Sequence, residues 1–301
     1  MGSMLAESLF VALGMLGFHP PVAQAASLPL ARYVAPVYRA PVRRDLKTAG
    51  VLTTGKAAVL MDAKSGAVLF SREGAAVHPI ASLTKLMTAM VVLDGHPALD
   101  EEILLTKDDE PSEGKAVFGE GETLTRRQLL QALLIGSVNT AGNALARAYP
   151  GSQAAFVRAM NVKAADLGLQ GASFADPTGL DRANVASAED VARLLQRALA
   201  YDDIRSITKQ PALDLKGKTG RSYRILSTNL LLDSFLNKKP YAIVAAKTGS
   251  LPEAGYCFAQ ATQDDQGHEL IAVTLGSDNH FSRYQDVKAL TAWGFEAFAW
   301  E

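Results

Sequence analysis

Apolar positions cluster in short β-prone runs near both ends of the chain and recur with helical spacing between them. Residues 56–61 and 67–70 are two such runs. The stretch Asp62-Ala63-Lys64-Ser65-Gly66 between them has turn chemistry, which predicts a hairpin. A helix is expected to begin near Ser82 and run through Leu93. Thr125 stands where an N-cap would open a helix reaching Ile135, residues 136–139 interrupt it, and residues 140–148 resume it. Ser187-Ala188-Glu189-Asp190 resembles a capping box before a further helix. Apolar strands return at 242–246, 255–262 and 270–276, and a closing helix is expected over 283–298. Strands at both ends with helices between them predict an α/β (α+β) fold. One antiparallel sheet is built from both chain ends and flanked by helices, with a helical lobe inserted.

The N-terminal portion reads differently. Residues 9–18 form an apolar run too short to span a bilayer, followed by Ala23-Gln24-Ala25, a small-x-small cleavage pattern. Residues 1–25 are therefore expected to be a signal peptide, although residues 1–8 lack the basic residues of a typical leader. Residues 26–54 are rich in Pro and Arg and without periodicity, an extension of little structure. The catalytic domain is expected over 55–301.

Composition narrows the function classes. The 301 residues are 48% hydrophobic with a formal net charge of −1, enough for a large core and without the basic stripe of a nucleic-acid binder. Cys257 is the only cysteine, so there is no internal disulfide and no cysteine-based zinc site. Its alternating apolar context predicts a buried structural thiol. The carboxylate clusters at 100–102 and 107–110 are expected to be solvated faces, not metal sites. His19, His78, His96, His268 and His280 are scattered and support no His-dependent triad; His78 is expected in a loop or at a cap.

The chemistry lies in three short motifs. A serine hydroxyl needs a base to become a nucleophile. In Ser82-Leu83-Thr84-Lys85 the i, i+3 spacing puts Lys85 on the Ser82 face of a helix, near its N-terminus, where amides favour developing negative charge. To act as a base Lys85 must be neutral, and burial and a second cation would both lower its pKa. Ser137-Val138-Asn139 lies at the break between two helical segments and can aim two polar side chains into a cleft. Lys247-Thr248-Gly249, followed by Ser250, ends an apolar strand; the lysine and threonine can hold a carboxylate while Gly249 admits substrate backbone. Lys218-Thr219-Gly220 repeats the letters in the context of an exposed hairpin turn and is set aside. Gly217-Lys218-Thr219 is no P-loop, because Ala212 stands where that motif needs glycine.

These motifs in this order match a set found in penicillin-binding proteins and class A β-lactamases. Over residues 55–298 the sequence resembles the low-molecular-mass penicillin-binding proteins, the D-alanyl-D-alanine peptidases. The resemblance rests on residues 79–89 around Ser82 and on Asp176-Pro177-Thr178-Gly179-Leu180 with Asn184-Val185-Ala186-Ser187. Ser227-Thr228-Asn229, Ala254-Gly255-Tyr256-Cys257, and Arg283 with Asp286 add to it. It implies that Ser82 forms an acyl-enzyme, Lys85 deprotonates it, and Ser137 relays a proton to the leaving amine. It further implies that Asn139 bonds the substrate peptide and that Lys247 and Thr248, with Gly249 and Ser250 beside them, bind the terminal or penicillin carboxylate. The amides of Ser82 and Ser250 would form the oxyanion hole. No metal or cofactor is implied. The partners implied are peptidoglycan peptide stems and, as covalent inhibitors, β-lactam antibiotics. There is no nucleic acid and no transmembrane anchor in the mature chain, and the location expected is the periplasm of a Gram-negative bacterium.

Ending after the final helix, and the run Met87-Thr88-Ala89-Met90-Val91-Val92-Leu93-Asp94, resemble the soluble endopeptidase subgroup, penicillin-binding protein seven. The expected activity is therefore cleavage of D-alanyl cross-links in peptidoglycan, with carboxypeptidase trimming of terminal D-Ala as the alternative. A β-lactamase is disfavoured because no Glu-x-x-Leu-Asn lies between Ser137 and Lys247. An inactive wall-binding scaffold is disfavoured because nucleophile, base and carboxylate-binding residues are all present.

Overall fold

The computed structural model describes residues 38–44, 50–113 and 116–301; the leader-like segment 1–25 lies outside these. Five strands, β1 (Ala57–Asp62), β2 (Val68–Arg72), β3 (Ala242–Leu251), β4 (Gly255–Gln263) and β5 (Glu269–Ser277), form an antiparallel sheet in the order β3-β4-β5-β1-β2. The two ends of the chain meet at β5–β1, where Val273 lies opposite Val59. The helices are α1 (Thr84–Asp94), α2 (Arg126–Ile135), α3 (Asn139–Arg147), α4 (Gln153–Asp166), α5 (Ala188–Ala198), α6 (Asp202–Thr208) and α7 (Ser282–Ala297). Among the described residues no helix is long and apolar enough to cross a membrane.

Strand periodicity divides the core in two. Ala57, Val59 and Met61 of β1 join the helical lobe in one cluster, whereas Ala58 and Leu60 face Val287, Leu290 and Phe295 of α7 in the other. Both faces are covered, which explains why β1 is buried along its whole length. Helix α1 is buried continuously from Thr84 to Val92, and a helix apolar all round belongs inside a protein. It packs against α2, α3, α4 and α5. Its first residues, including Lys85, are carried into the interior with it.

The expected caps are present. Thr125 accepts from the Gln128 amide while Gln128 Oε1 accepts from the Thr125 amide, and Ser187 and Asp190 exchange the same pair. Helices α4 and α6 were not legible from the pattern. The buried positions of α4, Phe156, Met160 and Ala164, are a narrow stripe within an alanine-rich polar stretch. Strand β3 runs through Lys247-Thr248-Gly249 to Leu251, beyond the strand end expected there, because β4 keeps pairing with it: Lys247 opposes Ala259 and Gly249 opposes Cys257. His78 sits in a short strand, Val77–Pro79, not a loop. Asp109 is fully buried and bonded by Arg147 Nε and Nη2, each at 2.8 Å, instead of being solvated.

Part of the segment read as an extension is joined to this body. Val42–Arg43 pairs with Phe298–Ala299. Buried Asp286 of α7 accepts from the amides of Thr54 and Gly55, the Thr54 hydroxyl, and Ser277 Oγ at 2.8 Å.

The set-aside Lys218-Thr219-Gly220 forms the turn of a hairpin, Ala212–Lys216 with Ser222–Leu226. Its Thr219 donates through amide and hydroxyl to Glu122, which also accepts from Tyr223 Oη at 2.8 Å. This carboxylate, 2% exposed, staples the hairpin to the helical lobe. Burial pushes the Glu122 carboxyl up, but hydrogen bonds from Thr219, Tyr223 and Thr123 outweigh it and bring it down to about 2. A carboxyl depressed on folding adds stability above its unfolded value and loses it as the pH falls. Glu122→Gln is therefore expected to cost about 2–3 kcal/mol at neutral pH in denaturant unfolding. The difference from wild type should vanish as the pH drops from 4.5 towards about 2.

Candidate active site

Ser82 lies in a single turn of 3₁₀ helix, Ala81–Leu83, that runs straight into α1. Lys85, one turn on, is fully buried. Its Nζ lies 2.8 Å from Ser82 Oγ, 2.7 Å from Asn139 Oδ1 and 2.6 Å from the Thr178 carbonyl. Two of these partners are oxygens that can only accept, and the third is a hydroxyl that can donate or accept. A neutral amine satisfies all three: it gives its two hydrogens to Asn139 and Thr178 and receives the Ser82 hydroxyl on its lone pair. Burial lowers the Lys85 pKa to about 7, with the Asp176 carboxylate opposing it. The base form is thus populated at neutral pH.

The loop that supplies Thr178 is shaped by Asp176. Its carboxylate accepts from Thr178 Oγ1 and from the amides of Thr178, Gly179 and Asp181, and from buried Asn184 Nδ2. Thr88 of α1 donates to the Pro177 carbonyl at 2.6 Å, pinning the loop to the helix that carries Lys85. Gly179 has φ +84, and a Cβ there would lie 2.0 Å from the Ala81 carbonyl oxygen. Only glycine lets this loop close over the residue before the serine.

Ser137 and Lys247 form a second serine–lysine pair, with Nζ 2.8 Å from Oγ. Lys247 also donates to the Thr248 carbonyl and is 1% exposed. Burial lowers its pKa well below the ordinary lysine range, and the charges of Lys85 and Arg283 lower it further. The expected effect of a neighbouring cation therefore falls on Lys247, while Lys85 is set by burial. Ser137 has φ +58 and Ala81 has φ +47, left-handed conformations that cost a non-glycine residue about 1–2 kcal/mol each. Both strained residues hold a serine towards a lysine.

Strand β3 forms the third wall. Thr248 Oγ1 donates to Thr228 Oγ1 at 2.7 Å. A Cβ on Gly249 would lie 2.8 Å from the Ile80 carbonyl and 3.0 Å from the Ser82 amide nitrogen, so the strand passes tight against the serine turn. Arg283 of α7 donates to the Gly249 carbonyl at 3.1 Å. A cleft of about 220 Å³ opens between these elements, lined by Ser82, Ser137, Thr228, Thr248, Gly249, Ser250, His280, Arg283 and others.

Every residue picked from the sequence as a site residue thus falls in one region. Ser82, Ser137, Thr248, Gly249 and Ser250 line the cleft, and Lys85, Asn139 and Lys247 are bonded to its serines or to each other. Lys218, by contrast, is exposed and paired with Glu102. The residues to which sequence reasoning gave no role are Asp176, Thr178, Thr228, Arg283, Tyr284 and His280. The segment around Asp176, and Thr228 and Arg283, carried a family resemblance; His280 carried no signal. Cys257 is buried, with its thiol pushed up to about 11 chiefly by burial, and is inert.

The chain matches the family model described as D-alanyl-D-alanine carboxypeptidase over residues 47–279. It is 36% identical to a D-alanyl-D-alanine endopeptidase of Pseudomonas aeruginosa, over 84% of this chain and 79% of that one. Among solved structures it is similar to the DD-transpeptidase of Streptomyces K15, with TM-score 0.76 and 28% identity over 83% of this chain and 100% of the other. It is also similar to penicillin-binding protein D2 of Listeria monocytogenes in a cefotaxime-bound form, with TM-score 0.72 and 28% identity over 82% of this chain and 100% of the other.

The close approach at Gly179 gives a direct test of how the serine is held. Gly179→Ala is expected to lower stability by about 2–4 kcal/mol and to slow serine acylation at least about tenfold. Thermal melting and reaction with a fluorescent penicillin measure the two.

Proposed function

The chain belongs to the D-alanyl-D-alanine carboxypeptidase family of penicillin-sensitive serine peptidases, and from that premise we propose that it is an endopeptidase acting through a Ser82 acyl-enzyme on D-alanyl cross-links of peptidoglycan. The observation that carries the site assignment is the 2.8 Å contact between Ser82 Oγ and a buried lysine whose other two partners can only accept.

In this reading the neutral Lys85 amine takes the Ser82 proton as Oγ attacks the D-alanyl carbonyl carbon. The negative charge that develops on the carbonyl oxygen is met by the amides of Ser82 and Ser250. Fixed donors of this kind are worth about 3–4 kcal/mol each in other hydrolases. The C–N bond then breaks, and the departing amine receives a proton originating on Lys85 and relayed through Ser137. Water attacks the resulting ester, Lys85 again serves as base, and the D-alanine carboxylate leaves with Ser82 restored. Lys247, Thr248 and Arg283 receive the substrate carboxylate, and Asn139 contacts the peptide. A β-lactam enters the same chemistry, but its leaving amine stays tethered to the acyl group and the adduct persists. The endopeptidase subtype rests on the 36% identity with the Pseudomonas aeruginosa endopeptidase. Residues 1–25 would direct export to the periplasm, with the catalytic domain starting near residue 55.

Ser82→Ala is expected to keep the fold and to show no covalent adduct in intact-mass measurement with a penicillin; an undiminished adduct would sink the assignment. Lys247→Ala should slow acylation at least about a hundredfold, whereas Lys218→Ala, which loses only an exposed ion pair, should stay within about twofold. Because the base is the neutral amine, acylation should rise about tenfold per pH unit below 7 and level off above it. With purified muropeptides, loss of cross-linked dimers without D-alanine release from pentapeptide monomers supports the endopeptidase. Release of D-alanine from those monomers supports the carboxypeptidase.

A further inference from the structure

Arg283 is 4% exposed, yet among the described residues no carboxylate pairs with it. Its Nη1 donates to the Gly249 carbonyl at 3.1 Å. Its Nη2 lies 2.9 Å from the Tyr284 hydroxyl and 3.1 Å from His280 Nδ1. Both Nη2 hydrogens are therefore used, one Nη1 hydrogen remains, and Nε is buried without a partner. The guanidinium also lies against the rings of Tyr284, at 4.8 Å, and Tyr256, at 5.6 Å. The cation is gripped on several sides but not neutralised, and it lines the cleft that holds Ser82.

Of its three acceptors, a backbone carbonyl and a phenol do not change charge between about pH 5 and pH 8, whereas an imidazole does. His280 sits in the loop before α7, is exposed, and packs edge-on against Tyr256 and Tyr284. The 3.1 Å contact with a guanidinium N–H requires Nδ1 to be the acceptor, which is the tautomer with hydrogen on Nε2. Desolvation and the Arg283 charge hold the imidazole below its ordinary value, so this neutral form prevails at neutral pH. The titratable and charged groups around it are Arg283 and Tyr284 from α7, Tyr256 from β4, and Asp278 in its own loop.

We propose that His280 is a positioning residue for carboxylate recognition: neutral, it accepts from Arg283 and fixes the guanidinium in the cleft wall, and protonated, it releases the guanidinium. Protonation turns Nδ1 into a donor facing another donor and sets two positive charges in contact. The pair then separates, and the exposed imidazole is free to swing away. The guanidinium loses one of three anchors and the cleft loses alignment with an incoming anion. This rests on the active-site reading above, in which the substrate carboxylate docks beside Thr248 and Arg283. It places a pH dependence on binding, distinct from the one Lys85 places on the chemical step.

Rapid-mixing acylation with a carboxylate-bearing chromogenic cephalosporin separates the dissociation constant of the first complex from the acylation rate constant. The comparison needs the wild type, His280→Gln, which keeps an acceptor but cannot titrate, and His280→Ala. Because His280 is exposed, both changes spare the core. From about pH 7.5 to about pH 4.5 the wild-type dissociation constant should rise about tenfold. His280→Gln should stay within about twofold of neutral wild type at both pH values, and His280→Ala should be weak at both. The methyl ester of the same drug, lacking the anion, should show no His280-dependent change in binding. A flat wild-type dissociation constant, or the same rise in His280→Gln, would overturn the proposal. Failure of the Ser82–Lys85 reading would show separately, as an acylation rate constant that does not fall with pH or an adduct on another residue.

Discussion

A lysine amine buried in a protein interior is costly unless it gives up its proton or finds a complete set of partners, and the rest of this site follows from how that demand is met. Lys85 is buried because α1 is apolar on every side and is packed among four other helices. Its neighbours supply two fixed acceptors and one hydroxyl, a set that fits an amine with a free lone pair. The same burial that stabilises the helical lobe thus makes the base. Among the described residues the carboxylate acting on Lys85 is that of Asp176, itself saturated by backbone amides, the Thr178 hydroxyl and Asn184, so it moderates the amine without forming a salt bridge that would hold it charged.

The second requirement is close approach. Three chain segments converge on the serine turn: the loop carrying Gly179, strand β3 at Gly249, and the break before α3 at Ser137. Two are glycines because any side chain there would strike the Ile80 or Ala81 carbonyl. The third is a serine held in a left-handed conformation, and Ala81 beside the nucleophile is strained likewise. The strain is tolerated because packed elements on all sides leave no relaxed alternative, and it aims each hydroxyl at a lysine. A distant hairpin contributes too: it is stapled to the lobe by Glu122, and just beyond it the Thr228 amide bonds to the Ile135 carbonyl at the end of α2.

The cleft is rich in basic groups. Lys85, Lys247 and Arg283 surround it, and none of the three has a carboxylate partner among the described residues. The uncompensated charge of Arg283, beside two lysines that an anion would help to keep protonated, favours an incoming anion. This accords with a substrate that ends in, or carries, a carboxylate next to the scissile amide. It also explains why the charges of Lys85 and Arg283 register on Lys247: all three side chains are buried in the walls of one cleft.

Much of this was written in the sequence, for reasons of local physics. Short β-prone apolar runs marked β1, β3, β4 and β5, capping chemistry placed the starts of α2 and α5, and the i, i+3 spacing put Lys85 beside Ser82 before any fold was known. The three motifs, with Ser250 after the third, named eight of the residues at the site, but not Thr178, Thr228, His280, Arg283 or Tyr284, which also line it or bond to it. The order of strands and helices along the chain was enough for a sheet closed from both ends. What sequence spacing does not carry is the partner across space. That Asn139 and Thr178, 54 and 93 residues from Lys85, would fill its coordination was decided by the packing of α3 and the Asp176 loop against α1. That Lys247 belongs to Ser137, and that Lys218 instead serves a surface hairpin, was decided by which strand lies against the serine turn. Helix α4, whose buried stripe is thin, and His280, one of five scattered histidines, became meaningful only when the tertiary structure set them against a neighbour, because their roles depend on a contact and not on a pattern.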